Sequence, residues 1–517
     1  MRTVLLALAV ATPQFAATCE SLHALSLPHT TITTAETRQP GPFTSPYGGR
    51  PIENLPAFCR IAGTLKPTAD SDIRFEVWMP ASGWNGKFQG VGNGGYAGSI
   101  AFGGLADAVR KGYATASTDT GHEDGRGNNA EWALHHPEKI ADFGYRAIHE
   151  TAVAAKAVIQ AFYGDAPKRS YFSSCSNGGR QALMEAQRFP GDYDGIIAGA
   201  PANNWTHLLS AAASGIRATL AEPASYIPPA KLPAIEAAAL AQCDAADGVK
   251  DGVIENPPAC RFDPSVLRCE GEESNACLTV PQLAALSSIY GGLRDSKGHQ
   301  LFPGLAPGGE AEPGGWETWV TGSAPRQSQM FLYGTQFFEN MVYSDPAWNF
   351  RTFDPDRDTK AADERGAQAL DATDPDLSAF QKRGGRLILY HGWSDAAISP
   401  ASSVEYYQRV QKTMGAAQTD AFVRLYMVPG MQHCGGGAGP NLFGQQGVPK
   451  TDPQHDIDAA LEAWVEQGAA PGSIIASKAD RQGATVRTRP LCPYPQIAKW
   501  KGAGSTDDDA NFVCAVP

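Results

Sequence analysis

Two dipeptides, Cys175-Ser176 and His433-Cys434, lie nearly half of the 517-residue chain apart. Each sets a cysteine beside a residue type that covalent hydrolysis needs. A disulfide fixes its two Cα atoms roughly 5.5–6 Å apart. A Cys175–Cys434 bridge would therefore carry Ser176 and His433 close to hydrogen-bonding range, whatever lies between them in sequence. A serine hydroxyl becomes an effective nucleophile when a histidine removes its proton and a carboxylate orients that histidine. The carboxylate candidate is Asp395, in His391-Gly392-Trp393-Ser394-Asp395. Each member also has a plainer reading. Ser176 could sit in an ordinary glycine-rich turn. Asp395 could cap the segment that follows it, and His391 competes with His433 for the role of base.

Local sequence supports the catalytic reading. Tyr171-Phe172-Ser173 reads as a strand entering Ser174-Cys175-Ser176-Asn177-Gly178, after which Arg180–Phe189 has a helical pattern. Strand, sharp turn and helix match the nucleophile elbow of α/β-hydrolases, with Ser174 where a glycine is usual. Those enzymes also order their triad serine, acid, histidine. Asp395 follows the apolar run Arg386–Tyr390, and His433 follows a strand ending at Val428. An oxyanion hole needs the N–H after the nucleophile, here Asn177, and a second from an early loop. Gly92-Asn93-Gly94-Gly95-Tyr96 supplies that loop after the strand at Phe88–Val91, and Gly95 is preferred to Gly94. A phosphate-binding loop is the rival for this glycine run, but no helix with a P-loop lysine follows.

Further strands are predicted at Arg74–Pro80, Lys87–Val91, Tyr113–Ser117, Asp194–Ala200 and Phe422–Val428. Helices are expected over Gly144–Phe162, Ser402–Met414 and Asp456–Glu466. Together they predict one parallel sheet in an α/β-hydrolase fold. Between about Asn204 and Pro375 the pattern changes to proline, glycine, acidic turns and aromatic residues. The expected organisation is a leader at 1–17, hydrolase segments at 18–204 and 376–517, and an inserted lid domain at 205–375.

Residues 1–17 carry Arg2, the apolar run Val4–Val10 and then small residues, the pattern of a secretory signal. It is too short to span a membrane, and the protein is expected to be secreted or periplasmic. Acylation of Cys19 would leave an odd number of cysteines. All ten cysteines can pair in an oxidising compartment. Sequence alone permits on the order of a thousand pairings. Local spacing favours Cys243–Cys260, Cys269–Cys277 and Cys492–Cys514, with Cys19–Cys59, leaving Cys175 for Cys434. The net charge of −12 argues against a nucleic-acid partner, while 42% hydrophobic and 19% charged residues fit a globular chain. Oligomeric state is not encoded in any motif.

These residues resemble the tannase/feruloyl esterase family, which also includes the hydrolase of mono(2-hydroxyethyl) terephthalate. Cys175-Ser176, Asp395 and His433-Cys434 match the family hallmark. Trp84–Phe88, Ser117–His122 and Asp142–Arg146 extend the likeness over nearly the whole mature chain. The resemblance implies a secreted serine carboxylic ester hydrolase acting on small aromatic esters of hydroxycinnamoyl, galloyl or terephthaloyl type. It further implies a structural Ca²⁺ in the lid, held by the carboxylates of Asp244, Asp247 and Asp251 and the carbonyls of Val249 and Val253, with no organic cofactor. Hard oxygen ligands on a glycine-punctuated turn suit that ion. Without the resemblance, an acidic surface turn reads equally well. Trp316, Trp319, Phe331, Tyr333, Phe337, Phe338 and Trp348 make the lid aromatic; most are expected in its core and about two against substrate. Arg326 is read as solvated rather than as a partner for a substrate carboxylate. The alternatives are acyl transfer with the same triad and a non-catalytic binding protein on a hydrolase scaffold.

Overall fold

The computed structural model describes residues 16–124, 127–445 and 452–517. The leader expected at 1–17 lies almost wholly outside them. Nine strands form the central sheet: β1 Thr30–Arg38, β2 Phe58–Leu65, β3 Ile73–Pro80, β4 Lys87–Gly90, β5 Ala114–Thr118, β6 Arg169–Cys175, β7 Gly195–Gly199, β8 Arg386–Gly392 and β9 Val423–Val428. Their spatial order is β1-β2-β3-β5-β4-β6-β7-β8-β9. The sheet is mixed, not wholly parallel as the sequence reading has it. β1, β2, β3 and β5 pair antiparallel in succession, and only the six strands from β5 to β9 run parallel. The antiparallel edge was missed because β1 is polar and half-exposed, without a clean alternation of apolar residues.

The parallel strands explain themselves chemically. β7 (GIIAG) is buried throughout and β8 (RLILYHG) nearly so, as expected where helices cover both faces of a sheet. Those helices include α1 Ala147–Tyr163, α2 Asn177–Arg188, α6 Pro400–Met414 and α7 Ile457–Gln467. Ile148, Ala152, Ala155, Ile159 and Phe162 of α1 enter the main core with Phe88, Phe172 and Leu389 of the sheet. Cys175 stands opposite Gly199, Gly199 opposite Tyr390 and Gly392 opposite Val428. The carboxyl ends of β6, β8 and β9 thus open onto one rim, where α/β sheets bind their ligands.

Between β7 and β8 the chain adds no strand to this sheet. Its helices include α3 Trp205–Leu220, α4 Val280–Gly291 and α5 Gln329–Gln336. Part of it has a core of its own, around Leu232, Ile235, Leu286 and Trp316. A second cluster joins Trp205, Phe337 and Phe338 to Tyr96 and Phe143 of the hydrolase portion. Five disulfides close the chain, pairing Cys19–Cys59, Cys175–Cys434, Cys243–Cys260, Cys269–Cys277 and Cys492–Cys514. All five agree with the pairing read from spacing.

Candidate active site

Ser176 occupies the turn between β6 and α2 at φ 68°, ψ −127°. A non-glycine residue there is strained, and such turns push a side chain out over the sheet rim. The turn is over-determined. Ser176 N–H donates to Gly199 O at 2.9 Å, and Ser176 O accepts from Ala202 N–H at 3.2 Å. Ser174 is accommodated by its neighbours: a Cβ on Gly178 would lie 1.9 Å from Ser174 Oγ. The glycine missing at 174 is thus matched by one that must be kept at 178.

A continuous hydrogen-bonded chain starts at this serine. His433 Nε2 lies 2.8 Å from Ser176 Oγ, and His433 Nδ1 lies 2.8 Å from Asp395 Oδ2. The Cys175–Cys434 bridge, with Cα atoms 6.0 Å apart, flanks the pair. Asp395 is almost wholly buried. Its Oδ1 accepts from the N–H groups of Ala397 and Ile398, and its Oδ2 also faces His391 Nε2 at 3.1 Å. Burial alone would raise this carboxyl, but the charge of His433 and the hydrogen bonds from His391 and His433 outweigh it and hold the group well below the usual carboxylate range. His391 is therefore no competing base. It is a second donor to Asp395, with Nδ1 against Ser403 Oγ at 2.7 Å, a role the sequence did not signal.

The two backbone amides expected near the serine sit beside it. Gly95 and Asn177 both line the cleft that holds Ser176 and His433. Neither N–H donates to another described residue, and that of Asn177 is one of the free donors that begin α2. Gly95 adopts φ 57°, and a Cβ there would come within 2.2 Å of Gly127 O and 2.5 Å of Tyr333 Oη. Only glycine fits. The Gly95 loop is registered to α2 by Gln181, whose Oε1 accepts from Asn93 N–H and whose Nε2 donates to Asn93 Oδ1 at 2.8 Å. The buried Arg180 guanidinium anchors the same helix, donating to Asn177 Oδ1 and to the carbonyls of Phe143 and Gly144.

The cleft is walled mainly by apolar groups, among them Trp205, Leu209, Trp319, Met330 and Tyr333. Among the described residues no lysine or arginine lines it. Trp319 presents its ring at 73° to that of His433, with centroids 5.0 Å apart. Of the aromatic residues noted in sequence, Trp319 and Tyr333 reach the cleft. Trp316, Phe337 and Phe338 are core residues. Phe331 packs on Phe350, and Trp348 stacks on Phe338. Arg326 is exposed, its guanidinium over the Phe350 ring, as its solvated reading expects. Trp205, Leu208, Leu209 and Met330 escaped the sequence reading, because nothing in a helical apolar pattern says whether it faces a core or a cleft.

A family model described as "Tannase and feruloyl esterase" matches residues 59–515. The chain belongs to the tannase and feruloyl esterase family. It is thereby placed among carboxylic ester hydrolases. An uncharacterised esterase of Xanthomonas campestris pv. campestris is 46% identical over 97% of this chain and 92% of its own length. A probable feruloyl esterase B-2 of Aspergillus terreus is 35% identical over 89% of this chain and 86% of its own. The crystal structure of feruloyl esterase B from Aspergillus oryzae superposes with a TM-score of 0.89 at 31% identity, covering 96% of this chain and 99% of that one.

The acidic loop at 244–253 lies far in sequence from the serine. Asp244 Oδ1 accepts from the N–H groups of Asp251 and Gly252, and Asp247 Oδ1 accepts from Val249 N–H. Asp251 Oδ2 lies 2.8 Å from Arg489 and 3.3 Å from Arg487. The carbonyls of Val249 and Val253 accept nothing from the described residues. Burial, with Asp251 as a nearby like charge, raises the Asp247 carboxyl. The donor set is oxygen throughout and has two free carbonyls, which suits a hard cation. The three carboxylates are nevertheless not drawn together. Among the described residues the only triad of potential ligands within 4.8 Å of one another is His149, Glu185 and Asp192. There Lys156 Nζ already lies 4.0 Å from Asp192.

Proposed function

We propose that this protein is an exported serine carboxylic ester hydrolase that cleaves esters of aromatic acids through an acyl-enzyme on Ser176. The observation that carries the reading is the Ser176–His433–Asp395 chain, with both links at 2.8 Å, beside two unengaged amides in an apolar cleft. His433 Nε2 takes the Ser176 proton as Oγ attacks the ester carbonyl. Asp395 holds the imidazole in the tautomer that makes this possible and stabilises the cation formed. The N–H groups of Gly95 and Asn177 receive the oxyanion, and His433 then protonates the departing alcohol. Water repeats the sequence on the acyl-enzyme and frees the acid.

A planar aromatic acyl group suits walls supplied by Trp319 and Tyr333. Among hydroxycinnamoyl, galloyl and terephthaloyl esters, the first is favoured: among the described residues the cleft offers no cation for a second carboxylate and few polar groups for a trihydroxylated ring. Residues 205–375, which carry those aromatic side chains, act as the lid domain. Asp244, Asp247 and Asp251 with the carbonyls of Val249 and Val253 would hold a Ca²⁺ that braces the lid, within the loop closed by Cys243–Cys260. Five disulfides, together with the leader pattern at 1–17, support export. Hydrolysis of methyl ferulate by the wild type and by Ser176→Ala tests the reading. Wild-type turnover that drops by about 10⁴-fold or more in the variant is expected; equal rates would remove Ser176 from the chemistry.

A further inference from the structure

The catalytic cleft has a neighbour. A second space lies between α3, α4 and the chain at Phe302–Leu305. Leu208, Ala212, Met330 and Ala397 line both spaces and form the partition between them. Beyond it stand Gly215, Ser288, Ile289, Phe302 and Leu305, with no charged side chain among the described residues. Helix α3 shows how the two connect. Trp205, Leu208, Leu209 and Ala212 face the cleft, while Leu208, Ala211, Ala212 and Gly215 face the second space. Residues at these i, i+3, i+4 and i+7 spacings share one face of a helix, so the face runs unbroken for about 15 Å from Trp205 to Gly215 at 1.5 Å per residue. A Cβ on Gly215 would meet nothing within 4 Å. Room is therefore left beside the helix, not merely lost to a missing side chain.

We infer that this second space is a binding subsite for the apolar, uncharged end of the ester whose carbonyl sits at Ser176, reached past Met330. The inference rests on the proposed serine esterase reading and adds a selection for long or two-ring substrates. An apolar chain there leaves water and gains about 25 cal/mol per Å² of surface buried. Met330 is suited to the partition because a thioether on an unbranched stem repacks readily. Only extended substrates would use the space, so short and long esters should respond differently when it is filled.

Gly215→Leu fills the space from α3 without entering the cleft, and Ser288→Phe fills it independently from α4. Each variant is compared with wild type on two series. In the acyl arm, p-nitrophenyl acetate is set against p-nitrophenyl decanoate; in the alcohol arm, methyl ferulate is set against octyl ferulate. Both fillings should lower kcat/KM for the long member of at least one series tenfold or more, and leave the short members within twofold. Loss in the acyl arm assigns the subsite to the acid, and loss in the alcohol arm assigns it to the alcohol. An unchanged length profile in both variants, or an equal fall for short and long esters, overturns the inference. Absence of wild-type turnover on the short esters would instead strike the esterase reading itself.

Discussion

Removing the Cys175–Cys434 bridge, as Cys175→Ala with Cys434→Ala, separates two effects that the structure joins. The bridge closes a loop of 259 residues, for which the chain-entropy model gives about 5.5 kcal/mol at 25 °C. That is an upper bound, since Cys243–Cys260 and Cys269–Cys277 lie inside the loop and already constrain the unfolded chain. Against the roughly 5–15 kcal/mol that holds a typical domain together, the loss is large but survivable. The second effect is local. Ser176 and Cys434 both sit at positive φ, 68° and 63°, and the bridge helps to impose both conformations. Without it the hydroxyl and imidazole remain near each other, but the 2.8 Å contact between them depends on two loops no longer tied. A displacement of about 1 Å costs on the order of 10²-fold in rate. The double variant should therefore show kcat on methyl ferulate lowered 10- to 100-fold, KM nearly unchanged and a lower denaturation midpoint in urea. Dithiothreitol should remove wild-type activity before the far-ultraviolet circular dichroism changes. Full kcat with an unaltered midpoint would refute the reasoning.

Three other outcomes follow from individual groups. Gly95→Ala places a Cβ against Gly127 O and Tyr333 Oη at a positive φ, so the loop must shift its N–H; kcat should fall about 10²-fold or more, read on p-nitrophenyl acetate, with KM much less affected. Asp119 accepts the N–H groups of Arg74 and Gly121, and burial pushes its carboxyl up to about 8. The folded chain then holds a proton that the unfolded chain has released above its ordinary carboxylate range. This group's contribution to stability accordingly falls as pH rises toward 8, by on the order of 1 kcal/mol per pH unit. Thermal melts from pH 5 to 8 should decline less steeply for Asp119→Asn than for wild type; a steeper decline would contradict the assignment. Chelation should lower the melting temperature while leaving the initial rate on methyl ferulate nearly intact, and the reverse pattern would remove calcium from a purely structural place.

The site was more legible in the sequence than the sheet. Ser176, Asp395 and His433 could be found because each follows an apolar strand in a recognisable order, and because two cysteines mark the ends of the contact. Strands β7 to β9 are largely apolar runs, visible for the same reason that they are buried on both faces. By contrast β1 and β2 carry threonine, charge and small residues, and their pairing depends on a distant partner. The aliphatic walls of the cleft lay beyond local pattern. Leu208 and Met330 look like any core residue until the packing of α3 against α5 leaves a space between them. His391 shows the same limit: four residues before Asp395 it could be taken for a base, and only the burial of the loop turns it toward the carboxylate.

The most direct test of the central claim is covalent. Wild-type protein treated with a fluorophosphonate should gain one adduct by intact mass, mapped to Ser176 by peptide sequencing. Ser176→Ala should gain none, and His433→Ala should label at least about 10²-fold more slowly for want of its base. An adduct on another residue, or unchanged labelling after loss of the Ser176 hydroxyl, would contradict the account.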